Sequence, residues 1–92
     1  MKIFNEVTIK NALLKLPGWK FVNNTLERRF VFENFNQAMG FIVQVGLCAA
    51  TRNHHPLWTN SYTSLQISLT THDAGGVTKL DIDLAKDIDE IC

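Results

Sequence analysis

Between Ser64 and Thr71 the chain alternates cleanly, with Leu65, Ile67 and Leu69 on one side and Ser64, Gln66, Ser68 and Thr70 on the other. A period of two with one apolar side describes a strand in a sheet that has one buried face and one wet face. Such a sheet needs a layer of helices over its apolar face. Other segments supply the missing strands. Trp19 to Val22 is a short strand, and Asn23-Asn24 forms a tight turn because Asn tolerates positive φ. Leu26 to Phe32 is the hairpin partner, with Leu26, Arg28, Phe30 and Phe32 on one side and Glu27, Arg29 and Val31 on the other. Trp58 to Tyr62 is the remaining short strand.

Helical signals lie between and around these strands. Asn5 to Leu16 carries Val7, Ile9, Leu13 and Leu14, and Pro17-Gly18 ends it. Asn34 caps a second helix that runs to Arg52. Gly75-Gly76 breaks the chain, and Thr78 with Asp81 three residues later gives a capping-box-like start to the last helix. Leu80, Leu84, Ile88 and Ile91 form its single apolar stripe, with Asp81, Lys86, Asp87 and Glu90 outside it. The order α-β-β-α-β-β-α predicts an α+β fold: a four-stranded antiparallel sheet with helices packed on one face, in a single domain over residues 1–92.

The second helix is apolar on more than one stripe, at Phe35, Ala38, Met39, Phe41, Ile42, Val45, Leu47 and Cys48. A helix apolar on most sides has to be buried on most sides. A chain of 92 residues buries only roughly 60–65% of its unfolded surface, so association would strengthen it. The extra face is expected to meet another subunit in a homodimer or homotetramer.

Nine basic residues cancel nine acidic ones, which leaves no net field for nucleic acid. The longest apolar stretch, Ala38 to Ala50, is interrupted by Gln44 and is too short to span a bilayer. The N-terminal decapeptide has no apolar run before a small-residue cleavage site, so no secretory signal is expected. A cytoplasmic protein without membrane or nucleic-acid partners is the expectation. Cys48 and Cys92 are too few for a disulfide framework and are expected to be free thiols.

All three histidines, His54, His55 and His72, lie within 19 residues of one another. Imidazole gives and takes protons near neutral pH. His54 and His55 follow the second helix, where Pro56 stiffens the turn, and His72 follows the alternating strand. If that strand runs back beside the helix end, the imidazoles converge on one pocket; otherwise they are unrelated surface or capping residues. Zinc competes for three imidazoles, but adjacent His54 and His55 point apart, unlike paired ligands on one helix or strand face. No metal is expected. Cys48 as a nucleophile lacks an electropositive, exposed setting and fits a core position. Gly75-Gly76 lacks the spacing of a phosphate loop. Trp58 and Tyr62 fit either an aromatic-ring pocket or ordinary sheet packing.

Four clusters together resemble the pterin-4a-carbinolamine dehydratase family: Asn53-His54-His55-Pro56; Trp58, Asn60 and Tyr62; Thr70-Thr71-His72-Asp73; and Asp81-Ile82-Asp83-Leu84-Ala85. Pro17-Gly18-Trp19 and Phe30 to Phe41 extend the resemblance over nearly the whole chain. The resemblance implies dimers that pair into tetramers. It also implies dehydration of a 4a-hydroxytetrahydropterin to the quinonoid dihydropterin in tetrahydrobiopterin recycling, without metal or organic cofactor. By position it makes His54, His55 and His72 the acid–base residues, and Asn53 to His55 with Thr70 to Asp73 the pterin lining. Pro56, Trp58 and Asp81 would support that site. Many relatives carry an acidic residue four positions before the first histidine, where this chain has Ala50; Asp73 beside His72 is a candidate to compensate. The alternative is a dehydratase-like pterin-binding or protein-interaction module, a dimerisation cofactor with weak or no turnover.

Overall fold

A computed structural model of the chain describes residues 2–91. The elements are α1 (Glu6–Leu13), β1 (Lys20–Val22), β2 (Thr25–Val31), α2 (Phe35–Arg52), β3 (Leu57–Ser61), β4 (Ser64–Leu69) and α3 (Lys79–Ile91), with one 3₁₀ turn at His72–Ala74. This is the expected α+β order. Cys92, expected as a free thiol, lies outside the described residues; Cys48 is free and half-buried.

Local chemistry sets the boundaries. Asn5 caps α1 by accepting from the Thr8 amide at 2.8 Å. The helix closes at Leu13 instead of Leu16, and the next amides bond three residues back, Lys15 to Ala12 and Leu16 to Leu13. Pro17 keeps the residue before it out of the α region. In the first hairpin Asn23 and Asn24 have φ of 51° and 63°, the paired positive values that a two-residue primed turn demands. Tyr62, expected at the end of β3, instead turns the second hairpin with φ of 56°. Thr70 and Thr71 leave β4 early, because Thr71 pairs with Gly76 in a separate bridge.

The sheet runs β1-β2-β4-β3, antiparallel throughout. Opposed pairs such as Leu26 with Leu69 and Phe30 with Leu65 carry the apolar face across its two central strands. Leu26, Phe30, Leu65, Ile67 and Leu69 are buried there against Ile9 and Leu16 from the α1 region, Phe41, Ile42, Val45 and Ala49 from α2, and Ile82, Leu84, Ala85 and Ile88 from α3. Each of the Leu, Ile, Val and Phe side chains among these contributes about 1.5–3 kcal/mol when fully buried. Arg29, Val31 and Gln66 alternate with these positions and stay exposed, so the helices occupy one face, as the alternation of β4 predicts.

Asp89 of α3 ties the sheet's β1–β2 side to this layer. Its Oδ1 accepts from Trp19 Nε1 at 2.8 Å and from Arg28 Nη1 at 2.5 Å. Arg28 also lies over the Phe30 ring at 4.4 Å. Gly18 makes room for it: a Cβ there would sit 2.7 Å from the guanidinium carbon.

Two features of the helices depart from a simple apolar stripe. On α2, Phe35, Met39, Val43 and Leu47 recur every fourth residue and are 41%, 40%, 57% and 64% exposed, a solvent-facing apolar row opposite the buried one. On α3, Asp81 was expected on the polar side and is instead fully buried. Among the described residues, no helix is long and apolar enough to cross a membrane.

Candidate active site

The end of α2 and the start of α3 meet at one side of the molecule, and each end is closed by its own device. At α2, Asn53 takes the left-handed conformation (φ 51°, ψ 40°), its amide bonds Ala50, and the His54 amide bonds Ala49 at 3.1 Å. These are the two bonds of a Schellman closure, which satisfies the last carbonyls and folds the chain back over the helix end. His54 is therefore fixed by its own backbone and turned inward, 8% exposed, while the adjacent His55 is exposed.

At α3, the capping box forms as expected: Thr78 Oγ1 accepts from the Leu80 amide at 3.2 Å and Asp81 Oδ2 accepts from the Thr78 amide at 2.9 Å. This is why Asp81 faces inward. A carboxylate at the third helical position must curl back to the helix start, and here the helix start is buried. Its remaining capacity is used across the fold. Oδ2 also accepts from Thr71 Oγ1 at 2.8 Å, and Oδ1 lies 2.5 Å from His54 Nε2.

A carboxylate only accepts, so Nε2 of His54 carries the proton of that bond and neutral His54 has its lone pair on Nδ1. Among the described residues Nδ1 makes no hydrogen bond, yet no buried side-chain nitrogen or oxygen lacks a partner. It must therefore reach solvent. The carboxylate that holds His54 comes from Asp81, not from Asp73, which is exposed, nor from the position one helical turn back, where exposed Ala50 stands.

Between β4 and α3 a tight loop presents the third histidine. Thr71 donates its amide to the Gly76 carbonyl at 2.9 Å, and Gly75 with φ of 81° closes the 3₁₀ turn that carries exposed His72. Asn24 braces this loop by donating its side-chain amide to the Gly75 carbonyl at 2.8 Å.

The result is a cleft of about 280 Å³ lined by Asn53, His54, His55, Thr70, Thr71, His72, Asp73 and Leu80. All three histidines border it. Leu80 is the wall residue that sequence reasoning assigned to the core stripe; nothing local to Leu80 signals otherwise. Pro56, Trp58 and Tyr62 do not line it. Trp58 lies against Gly46 of α2, and Tyr62 stacks on Phe35 at 5.8 Å, near the opposite end of that helix. Arg52 turns away from the histidines to Asp87 and Asp83 of α3. Its hydrogen bonds to the Asp87 carboxylate raise its pKa above the ordinary arginine value. Among the described residues, no three His, Cys, Asp or Glu side chains converge to hold a metal ion.

The profile of the family described as pterin 4 alpha carbinolamine dehydratase matches residues 2–91. A Rhodopseudomonas palustris protein, provisionally named a pterin-4-alpha-carbinolamine dehydratase, is 49% identical over 82 residues, covering 87% of this chain and 81% of its own. A Sulfurisphaera tokodaii protein of the same provisional name is 43% identical over 91 residues, covering 99% and 98%. The crystal structure of a Brucella melitensis protein described as a transcriptional coactivator/pterin dehydratase superposes with a TM-score of 0.94 at 37% identity, over 98% of each chain.

Proposed function

The chain belongs to the pterin-4a-carbinolamine dehydratase family of hydro-lyases, and on that premise we propose that it dehydrates a 4a-hydroxytetrahydropterin in the histidine cleft. The observation that carries this is the convergence of a buried, carboxylate-held imidazole and two exposed ones on a single cleft of about 280 Å³.

In the reaction the C4a–O bond breaks and C4a=N5 forms. The departing hydroxide takes a proton and leaves as water, and N5 gives up its proton. One acid and one base are needed on the same substrate, each contributing about 10²–10⁴-fold in rate. His54 suits the base: Asp81 fixes its tautomer and leaves Nδ1 available to accept. His55 and His72, exposed at the rim, suit the delivery of a proton to the leaving hydroxyl. Asn53, Thr70 and Asp73 complete the wall of the cleft, where they would line the pterin. The reaction proposed is the dehydration step of tetrahydrobiopterin recycling.

The apolar row Phe35, Met39, Val43 and Leu47 suits association with a second copy of the chain through α2, as a dimer or a pair of dimers.

The test is the purified protein's effect on dehydration of a 4a-hydroxytetrahydropterin, followed by absorbance. Acceleration over buffer is expected, and the His54→Ala, His55→Ala double variant removes most of it. A wild-type rate no better than buffer refutes the assignment.

A further inference from the structure

Thr71 borders the cleft, yet none of its polar groups is free for a ligand. Its amide bonds Gly76, its carbonyl accepts from Ala74 and Gly75, and its side chain is buried. Its hydroxyl lies 2.7 Å from Thr78 Oγ1 and 2.8 Å from Asp81 Oδ2. Thr78 and Asp81 are both fully buried.

The direction of each bond in this cluster can be worked out. Asp81 as a carboxylate offers no proton, so Thr71 donates to it. A hydroxyl has one proton, so the Thr71–Thr78 bond must be donated by Thr78. Thr78 Oγ1 in turn accepts the Leu80 amide. A single directed chain results, from the Leu80 amide through Thr78 and Thr71 to Asp81, with His54 Nε2–H donating to the other carboxylate oxygen. Every buried donor and acceptor in it is satisfied.

We propose that Thr71 is a positioning residue for the dehydratase reaction, not a pterin ligand through its side chain: its hydroxyl, directed by Thr78, holds Asp81 so that His54 keeps its proton on Nε2 and presents Nδ1 to the cleft. This rests on the dehydratase assignment, but the tautomer of His54 tests it without turnover. Losing the Thr71 hydroxyl releases one side of the carboxylate and lets the Asp81–His54 geometry relax.

The test compares wild type with Thr71→Val, which keeps the shape and loses the hydroxyl, and Thr71→Ser, which restores it. In Thr71→Val kcat falls about tenfold, part of the 10²–10⁴ that a positioned acid–base residue contributes, while KM stays within about twofold. Thr71→Ser recovers most of the loss. Imidazole ¹⁵N NMR of the wild type shows His54 as the Nε2–H tautomer, and Thr71→Val shows the Nδ1–H form appearing. A KM increase with kcat unchanged would make Thr71 a substrate ligand and overturn the proposal. So would unchanged kcat in a folded Thr71→Val protein. Should that variant not fold, the wild-type spectrum decides alone, because a His54 found as Nδ1–H overturns the directed chain. If the wild type is inactive but has the Nε2–H tautomer, the dehydratase assignment fails and the bond network stands.

Discussion

Replacing Asp81 by asparagine changes one oxygen to an NH₂ group and leaves the side-chain volume nearly untouched, so its effect isolates the carboxylate's chemistry. The carboxylate accepts from the Thr78 amide at 2.9 Å, from Thr71 Oγ1 at 2.8 Å and from His54 Nε2 at 2.5 Å. Asparagine can keep the first two on its carbonyl oxygen, but its NH₂ then faces His54 Nε2–H, donor against donor. His54 relieves the clash by moving its proton to Nδ1, the nitrogen proposed to face the cleft. Loss of one charge-assisted hydrogen bond costs about 1.5–3 kcal/mol, and the two that survive weaken when the acceptor becomes neutral. Removing a buried charge returns part of this. A net destabilisation of about 2–3 kcal/mol follows, which for a chain of 92 residues lowers Tm by about 10–20 °C. That is less than the roughly 5–15 kcal/mol that typically holds a domain folded, so the variant still folds at 25 °C. Its rate falls more steeply, by about 10²–10⁴, because neutral His54 can no longer accept a proton from the substrate. Scanning calorimetry and single-turnover dehydration at 25 °C measure the two effects separately. An Asp81→Asn protein that is folded, with Tm within 2 °C of wild type by this scale or with wild-type kcat, would refute the role assigned to this carboxylate.

Two further perturbations probe the rest of the molecule. Gly18→Ala puts a Cβ 2.7 Å from the Arg28 guanidinium, which Asp89 and the Phe30 ring hold in place; the group must shift. Set against the entropy gained from Gly→Ala, the net loss is about 1 kcal/mol and Tm drops by about 4–8 °C, with dehydratase kcat unchanged because this lock lies at the far end of α3. A Tm at or above wild type would show that Arg28 moves freely. Leu47→Glu puts a charge in the exposed apolar row of α2; by multi-angle light scattering at micromolar concentration wild type is expected as a dimer or larger, and the variant as a smaller species. A monomeric wild type would mean that the row covers nothing in solution.

Much of the fold was legible because its signals are local. The alternation of Leu65, Ile67 and Leu69 specified the buried face of the sheet, the Asn23-Asn24 pair its first turn, and Thr78 with Asp81 the start of α3. Tyr62 was misplaced because a positive φ is unusual for an aromatic residue, and no Gly or Asn marks that turn. The burial of Asp81 was not legible from helical periodicity, which treats any carboxylate as an outward residue. The capping pattern held the missing clue: a residue that bonds back to the helix start points along the axis and not away from it. Whether it ends in solvent or in the core depends on what lies over that helix end. Here it is His54, 27 positions earlier in sequence. Leu80 on the cleft wall depends in the same way on a contact between distant segments.

The two helix ends also explain why the candidate site sits where it does. A helix terminus leaves backbone groups that must find partners, and burying two termini against each other doubles that demand. At α2 the Schellman bonds meet it with the chain's own amides, and in doing so turn His54 inward. At α3 a carboxylate meets it, and that carboxylate retains one free oxygen. The oxygen left over by the cap is the one that holds His54. Helix capping and histidine orientation are thus two uses of one side chain, and they should fail together in a substitution that removes both carboxylate oxygens, such as Asp81→Ala. A substitution at Thr71 that spares the carboxylate should separate them, keeping the cap while loosening the imidazole.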